Sequence, residues 1–142
     1  MRTAIDTNVL SALWSGEPLA LLVSDELDQA ASAGGLVVCA AVYAELLAHP
    51  KAKLDFVDHF LSTTGISIDF DLGEPVWREA SLRFAKYATR RRASRGGRAK
   101  RLRADFIVGA HTLLRTDRLL TLDRSCYTRD FPELELITAG ME

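Results

Sequence analysis

Short apolar runs alternate along the chain with longer stretches in which apolar side chains recur every three or four residues. The first pattern marks buried strands and the second marks amphipathic helices. Arg2–Ile5 opens as a short buried strand, and after Asp6-Thr7-Asn8 a helix begins over Val9–Trp14. Ser15-Gly16-Glu17-Pro18 is a turn. Leu19–Ala33 has helical spacing through Leu22, Leu27 and Ala30, and Gly34-Gly35 stops it. Leu36–Cys39 is a second strand, followed by a helix over Ala40–Ala48 that Pro50 breaks. Leu54–Leu61 is amphipathic, with Phe56, Val57, Phe60 and Leu61 on one side, and Ile66–Ile68 is a third strand. A long helix follows over Glu74–Thr89, where Pro75 suits a first helical position. Arg95-Gly96-Gly97-Arg98 reads as a loop, Leu102–Leu114 as a helix, Leu119–Leu122 as a fourth strand and Leu134–Thr138 as a candidate fifth.

Strands separated by helices imply parallel pairing through right-handed crossovers. The expected fold class is therefore α/β: a three-layer α/β/α sandwich with a parallel sheet of four to five strands. A chain of 142 residues supports one core, and neither an internal repeat nor a linker divides it, so a single domain over residues 1–142 is expected. In open sheets of this kind, ligands gather beyond the carboxyl ends of the strands.

Charge changes the picture more than composition does. Arg90, Arg91, Arg92, Arg95, Arg98, Lys100, Arg101 and Arg103 form a run with no acid in it. The rest of the chain holds 10 cations against 19 acids, so an acidic body carries one basic segment. Basic runs of this kind contact nucleic-acid phosphates, and their bland counterpart is a solvated loop. No apolar run approaches the roughly 20 residues of a membrane span, and the N-terminus reads into a strand rather than a secretory signal, which makes the cytoplasm the expected compartment. Cys39 and Cys126 lack CxxC spacing, which excludes a zinc ribbon or disulfide framework, and Cys39 reads as a core residue. His49, His59 and His111 have no metal-binding spacing and read as structural, as Trp14, Tyr43, Phe56 and Phe60 read as core.

Four acids fall towards one edge of the expected sheet. Asp6 follows the first strand and Asp123 the fourth, Glu45 lies in the helix after the second strand, and Asp105 opens the helix that feeds the fourth. Glu45 and Asp105 interrupt apolar stretches, so each needs a cation, a metal or a path to solvent. Two carboxylates about 5 Å apart repel by roughly 3 kcal/mol at an effective dielectric near 20. A divalent cation would compensate, and oxygen ligands favour magnesium or manganese over zinc. Each acid also has a purely structural reading. Asp6, Thr7 or Asn8 can cap the first helix, Glu45 can be solvated, Asp105 can favour a helix N-terminus, and Asp123 can sit in a turn.

Asp6-Thr7-Asn8, Glu45, Asp105 and Thr121-Leu122-Asp123, in this order over nearly the whole chain, resemble the PIN domain. The stretch Ala104-Asp105-Phe106-Ile107-Val108-Gly109-Ala110-His111 and the arginine-rich segment before it are similar to those of VapC-type toxins. The resemblance implies a magnesium- or manganese-dependent endoribonuclease, a homodimer, and an antitoxin protein that occupies the active-site groove. Carried over by position, it makes Asp6, Glu45, Asp105 and Asp123 the family's acids and Asn8 and Thr121 its polar supports; on that footing Asp6 and Asp105 are expected to bind the metal directly, and Glu45 and Asp123 through water or at a second ion. The basic run would then bind the RNA substrate. Apolar residues Leu13, Trp14, Leu19 and Leu22 could face a partner or the core. An aromatic nearer to the fourth acid than Tyr127 would be usual, which leaves Asp130 as a substitute for Asp123. Competing readings are an RNA-processing nuclease without an antitoxin and a non-catalytic RNA-binding module on the same fold. A haloacid-dehalogenase-type phosphatase would need a second acid where Asn8 stands.

Overall fold

The structure, a computed structural model, describes residues 1–94 and 101–139. Its elements run β1 (Thr3–Ile5), α1 (Thr7–Ser15), α2 (Ala20–Ala33), β2 (Leu36–Cys39), α3 (Ala40–Leu46), α4 (Leu54–Thr63), β3 (Ile66–Asp69), α5 (Gly73–Ala93), α6 (Ala104–Arg115), β4 (Arg118–Leu120), α7 (Ser125–Thr128) and β5 (Leu136–Ile137). The five strands form one sheet in the order β3-β2-β1-β4-β5, and every pairing is parallel. Every residue of β1 and β2 is buried. A strand buried on both faces needs cover on both, which is why these segments read as unbroken apolar runs and why the fold is an α/β/α sandwich. Among the described residues no helix is long and apolar enough to cross a membrane.

The expected elements are present with shifted ends. The helix after β2 stops at Leu46 rather than Ala48, because Leu47–Pro50 turns. α5 begins at Gly73, so Pro75 stands within its first turn, where its missing N–H costs nothing. α1 ends on Gly16 at φ 64°, a left-handed position that glycine adopts freely. The fourth strand ends at Leu120 rather than Leu122, and the four-residue helix α7 was not expected. The residues Arg95-Gly96-Gly97-Arg98, expected as a loop, and Lys100 lie outside the described residues.

Cys39 is buried, as expected of a small core residue. Trp14 packs edge-on against Phe56, Phe60 and His49 at 5.1, 5.3 and 5.8 Å. Leu13, Trp14 and Leu19 are partly buried against the core, whereas Leu21 and Leu22 are exposed. His111, on the buried face of α6, places Nε2 2.8 Å from Asp69 Oδ2, while its Nδ1 has no partner among the described residues. A neutral ring that donates from Nε2 fits this geometry, since an unpaired lone pair costs less than an unpaired N–H. Burial lowers the His111 pKa against the pull of Asp69. At Asp69 burial opposes ionisation, but His111 and Arg2 outweigh it and the net shift is downward.

Candidate active site

The strand order reverses direction at β1. From there the chain winds outward through β2 to β3, and the remaining strands, β4 and β5, lie on the other side. The crevice between the carboxyl ends of β1 and β4 is thus the topological switch point, where such sheets bind ligands. Asp6 and Thr121 are the first residues beyond these two strands.

Asp6 is 7% exposed and caps α1 by accepting the Thr7 N–H at 2.8 Å on Oδ1. Its Oδ2 accepts the Thr121 hydroxyl at 2.9 Å and the Tyr127 hydroxyl at 2.7 Å. Asn8 braces the same crevice: its side-chain oxygen accepts the Leu122 N–H at 3.0 Å, and its amide lies 3.4 Å from Thr121 Oγ1. Burial raises the Asp6 pKa; three hydrogen bonds oppose the rise and the Asp105 charge adds to it. The capping reading and the ligand reading of Asp6 are therefore compatible, because the cap uses one oxygen and an acceptor position remains on it.

The other three acids reach the same edge by different routes. Glu45 is solvent-exposed on α3 and accepts the Thr7 hydroxyl at 2.7 Å, so the apolar residues flanking it in sequence do not bury it. Asp105 stands in the first turn of α6, where Arg103 Nη2 donates to its Oδ2 at 2.6 Å. Asp123 is exposed; its Oδ1 accepts the Ser125 N–H at 3.1 Å and the Ser125 hydroxyl at 2.5 Å, and Cys126 Sγ donates to its Oδ2 at 3.1 Å. The Ser125 and Cys126 bonds hold the Asp123 carboxyl below its usual range. Cys126 lies among Asp123, Asp105 and Arg103, and burial with these acids pushes its thiol up to about 12. Asp130, the substitute for Asp123, is bound to Arg90 and its side chain is 12% exposed. It is committed to α5 instead.

As the side chains lie, no three His, Cys, Asp or Glu groups among the described residues are close enough to share one ion. Arg103 covers Asp105 and the start of α7 occupies Asp123. The donor set nevertheless suits a hard divalent cation: the desolvated Asp6 carboxylate feels the charge of Asp105, and Thr7 and Thr121 tie Glu45 and the Asp123 backbone to the same turn.

Of the basic run, Arg90, Arg91 and Arg92 form the last turn of α5, and Arg101 and Arg103 precede α6. Arg90 pairs with Asp130, and Arg91 donates to the Tyr87 hydroxyl at 2.9 Å. Arg95, Arg98 and Lys100 lie outside the described residues.

The family model of the PIN domain matches residues 3–132, which takes in both strands of the crevice and all four acids. The chain belongs to the PIN-domain family. Three solved structures share the fold of this PIN domain. A chain of the VapBC2 complex from Rickettsia felis, solved with a DNA fragment from its promoter, superposes with a TM-score of 0.70 at 19% identity, covering 97% of this chain and 98% of that one. A chain of VapBC-1 from nontypeable Haemophilus influenzae gives 0.64 at 20% identity over 97% and 98%. A chain of a toxin–antitoxin complex from Klebsiella pneumoniae gives 0.58 at 18% over 96% of each. No curated protein matches.

Sequence reasoning missed two residues in this PIN domain. Tyr127 is fully buried beneath Asp6, and Thr7 links Glu45 to the Asp6 turn. For Tyr127 the only signal was an aromatic close to the fourth acid, and its spacing argued against a role. Thr7 reads in the sequence only as a candidate helix cap.

Proposed function

We propose that this PIN domain is a magnesium-dependent endoribonuclease, the VapC-like toxin of a toxin–antitoxin pair, and that it hydrolyses RNA phosphodiester bonds at the four-acid edge. The observation that carries this reading is the buried Asp6 carboxylate at the switch point, held open by Thr121 and Tyr127 and facing the charge of Asp105. A structural cap alone does not require a second acid facing it.

Asp6 and Asp105 would hold the ion, with Glu45 and Asp123 joining through water or at a second ion; magnesium suits the site and manganese could replace it. When bound, it supplies polarisation of the phosphodiester and a water of lowered pKa. Thr121 and Tyr127 fix the orientation of Asp6, and Asn8 fixes Thr121. The arginines at the end of α5 and before α6 draw RNA towards an acidic edge that would otherwise repel it.

An antitoxin partner is supported by the three solved neighbours, which come from VapBC and other toxin–antitoxin complexes. Leu21 and Leu22 offer apolar surface for it or for a second copy in a homodimer, and the pair would act in the cytoplasm. The decisive experiment is cleavage of defined RNAs with and without magnesium, with product ends mapped. We expect 5′-phosphate and 3′-hydroxyl ends, and loss of cleavage in Asp6→Asn and Asp105→Asn. Cleavage by both variants at the wild-type rate would refute the assignment.

A further inference from the structure

Tyr87, on α5, joins two arginines that are distant in sequence. It accepts Arg91 Nη1 at 2.9 Å from the next turn of the same helix, and the Arg103 guanidinium at the start of α6 lies near enough to its hydroxyl to help hold the phenol pKa down. Arg103 in turn donates to Asp105. A chain of contacts thus runs from α5 to a site acid: Arg91, Tyr87, Arg103, Asp105. A phenol oxygen that accepts one guanidinium and sits beside a second is turned towards positive charge on its acceptor side, and its own proton remains as a donor. Among the described residues nothing is seen to accept that proton. Two guanidinium groups and one hydroxyl donor beside an acidic edge are the chemistry that recognises a phosphodiester.

The Arg103–Asp105 pair has a second property. Its side chains are 52% and 28% exposed, and pairs at that exposure change an affinity by at most about five-fold. Arg103 therefore supplies Asp105 with a counter-charge that is easily exchanged.

We propose that Arg91, Arg103 and the Tyr87 hydroxyl form one seat for an RNA phosphate beside Asp105, and that Arg103 covers Asp105 until a divalent cation takes that carboxylate. Tyr87 donates its proton to that phosphate and also positions the two arginines. It holds both arginines at the mouth of the site and keeps Arg103 near the seat after Asp105 is released. The proposal rests on the nuclease reading above and adds to it a named phosphate site and a competitor for the cation.

The test combines calorimetric titration with Mn2+ alone and steady-state RNA cleavage. Arg103→Gln should bind Mn2+ roughly two- to five-fold more tightly than wild type, because its competitor is gone. Arg103→Lys keeps a cation over Asp105 and should bind Mn2+ as wild type does, and Arg91→Gln should leave the titration unchanged. Tyr87→Phe retains the ring that packs 5.4 Å from Phe106, so its fold is preserved. It should raise KM for RNA about three- to ten-fold, with a smaller change in kcat and no change in Mn2+ affinity. Unaltered or weaker Mn2+ binding by Arg103→Gln, or an unaltered KM in Tyr87→Phe, overturns the proposal and leaves the nuclease reading standing. A wild-type protein that neither binds Mn2+ nor cleaves RNA overturns both.

Discussion

Gly109 on α6 is packed directly against Phe131 from the late part of the chain, and Gly109→Ala should show how little room that leaves. A Cβ at this position would lie 2.5, 2.6 and 2.7 Å from three ring carbons of Phe131. Phe131 is 1% exposed, lies 6.3 Å from the Phe106 ring, and has the Arg83 guanidinium 4.9 Å from its centroid. Arg83 is itself clamped by Glu79 and Glu133, and the Arg83 bonds hold the Glu133 carboxyl down at about 2. The ring therefore cannot swing away without displacing a packed neighbour. Overpacking of this kind costs about 1–3 kcal/mol, and three contacts below 3 Å put this case at about 3. Alanine returns about 1 kcal/mol through its higher helix propensity. The net is about 2 kcal/mol of destabilisation. An unfolding entropy of about 2.1 cal/mol/K per residue over 142 residues is about 0.3 kcal/mol/K, so the melting temperature should fall by about 7 °C.

The assay is thermal unfolding of wild type, Gly109→Ala, Phe131→Leu and the double variant. Leucine at 131 removes the obstructing ring, so Gly109→Ala should cost less in that background, with a coupling of about 1 kcal/mol or more. The reasoning fails if Gly109→Ala melts at or above wild type, or if the double variant loses the sum of the two single losses. The Phe131 N–H also bonds the Tyr127 carbonyl at 2.8 Å, so a displaced ring pulls on the residue that supports Asp6.

Three further outcomes are expected. Magnesium or manganese at 100 times its dissociation constant should stabilise wild type by about 2.7 kcal/mol, and should leave Asp6→Asn almost unmoved in a melting assay. Tyr127→Phe removes a buried hydrogen bond to a carboxylate and should cost about 1.5–3 kcal/mol in denaturant unfolding; a loss below 0.5 would show that Thr121 alone satisfies Asp6. Burial lowers the folded pKa of His111 below 6.5, so its stability contribution is present above pH 6.5 and is lost as the pH falls through the folded value. Asp69, lowered from 3.8, behaves likewise in a separate and more acidic window. Unfolding free energy measured from pH 7.5 to 4.5 should therefore decline in wild type, and the decline should be shallower in His111→Gln.

Strands and long helices were legible because burial on both faces leaves no choice but an apolar run, as in Leu36–Cys39, and because a helix on a sheet must repeat its apolar side, as in Leu54–Thr63. The placement of Asp6 and Asp123 at one edge was legible for a related reason. A parallel sheet sends the end of every strand to the same edge, so position after a strand is position in space. What each carboxylate does there was not legible, since that depends on groups that sequence order does not pair. Glu45 looked costly amid Tyr43, Ala44, Leu46 and Leu47, yet the short helix α3 turns that residue outward, where Thr7 meets it. Asp123 is held by Ser125 and Cys126 at the start of a helix of four residues, too short to leave a period in the sequence. That same turn drives Tyr127 inward to Asp6, across 121 positions of chain. The helix that disqualified Tyr127 by spacing is the one that delivers it to the site. In this protein the sheet sets which acids share an edge, and the turn after β4 sets which of them is desolvated.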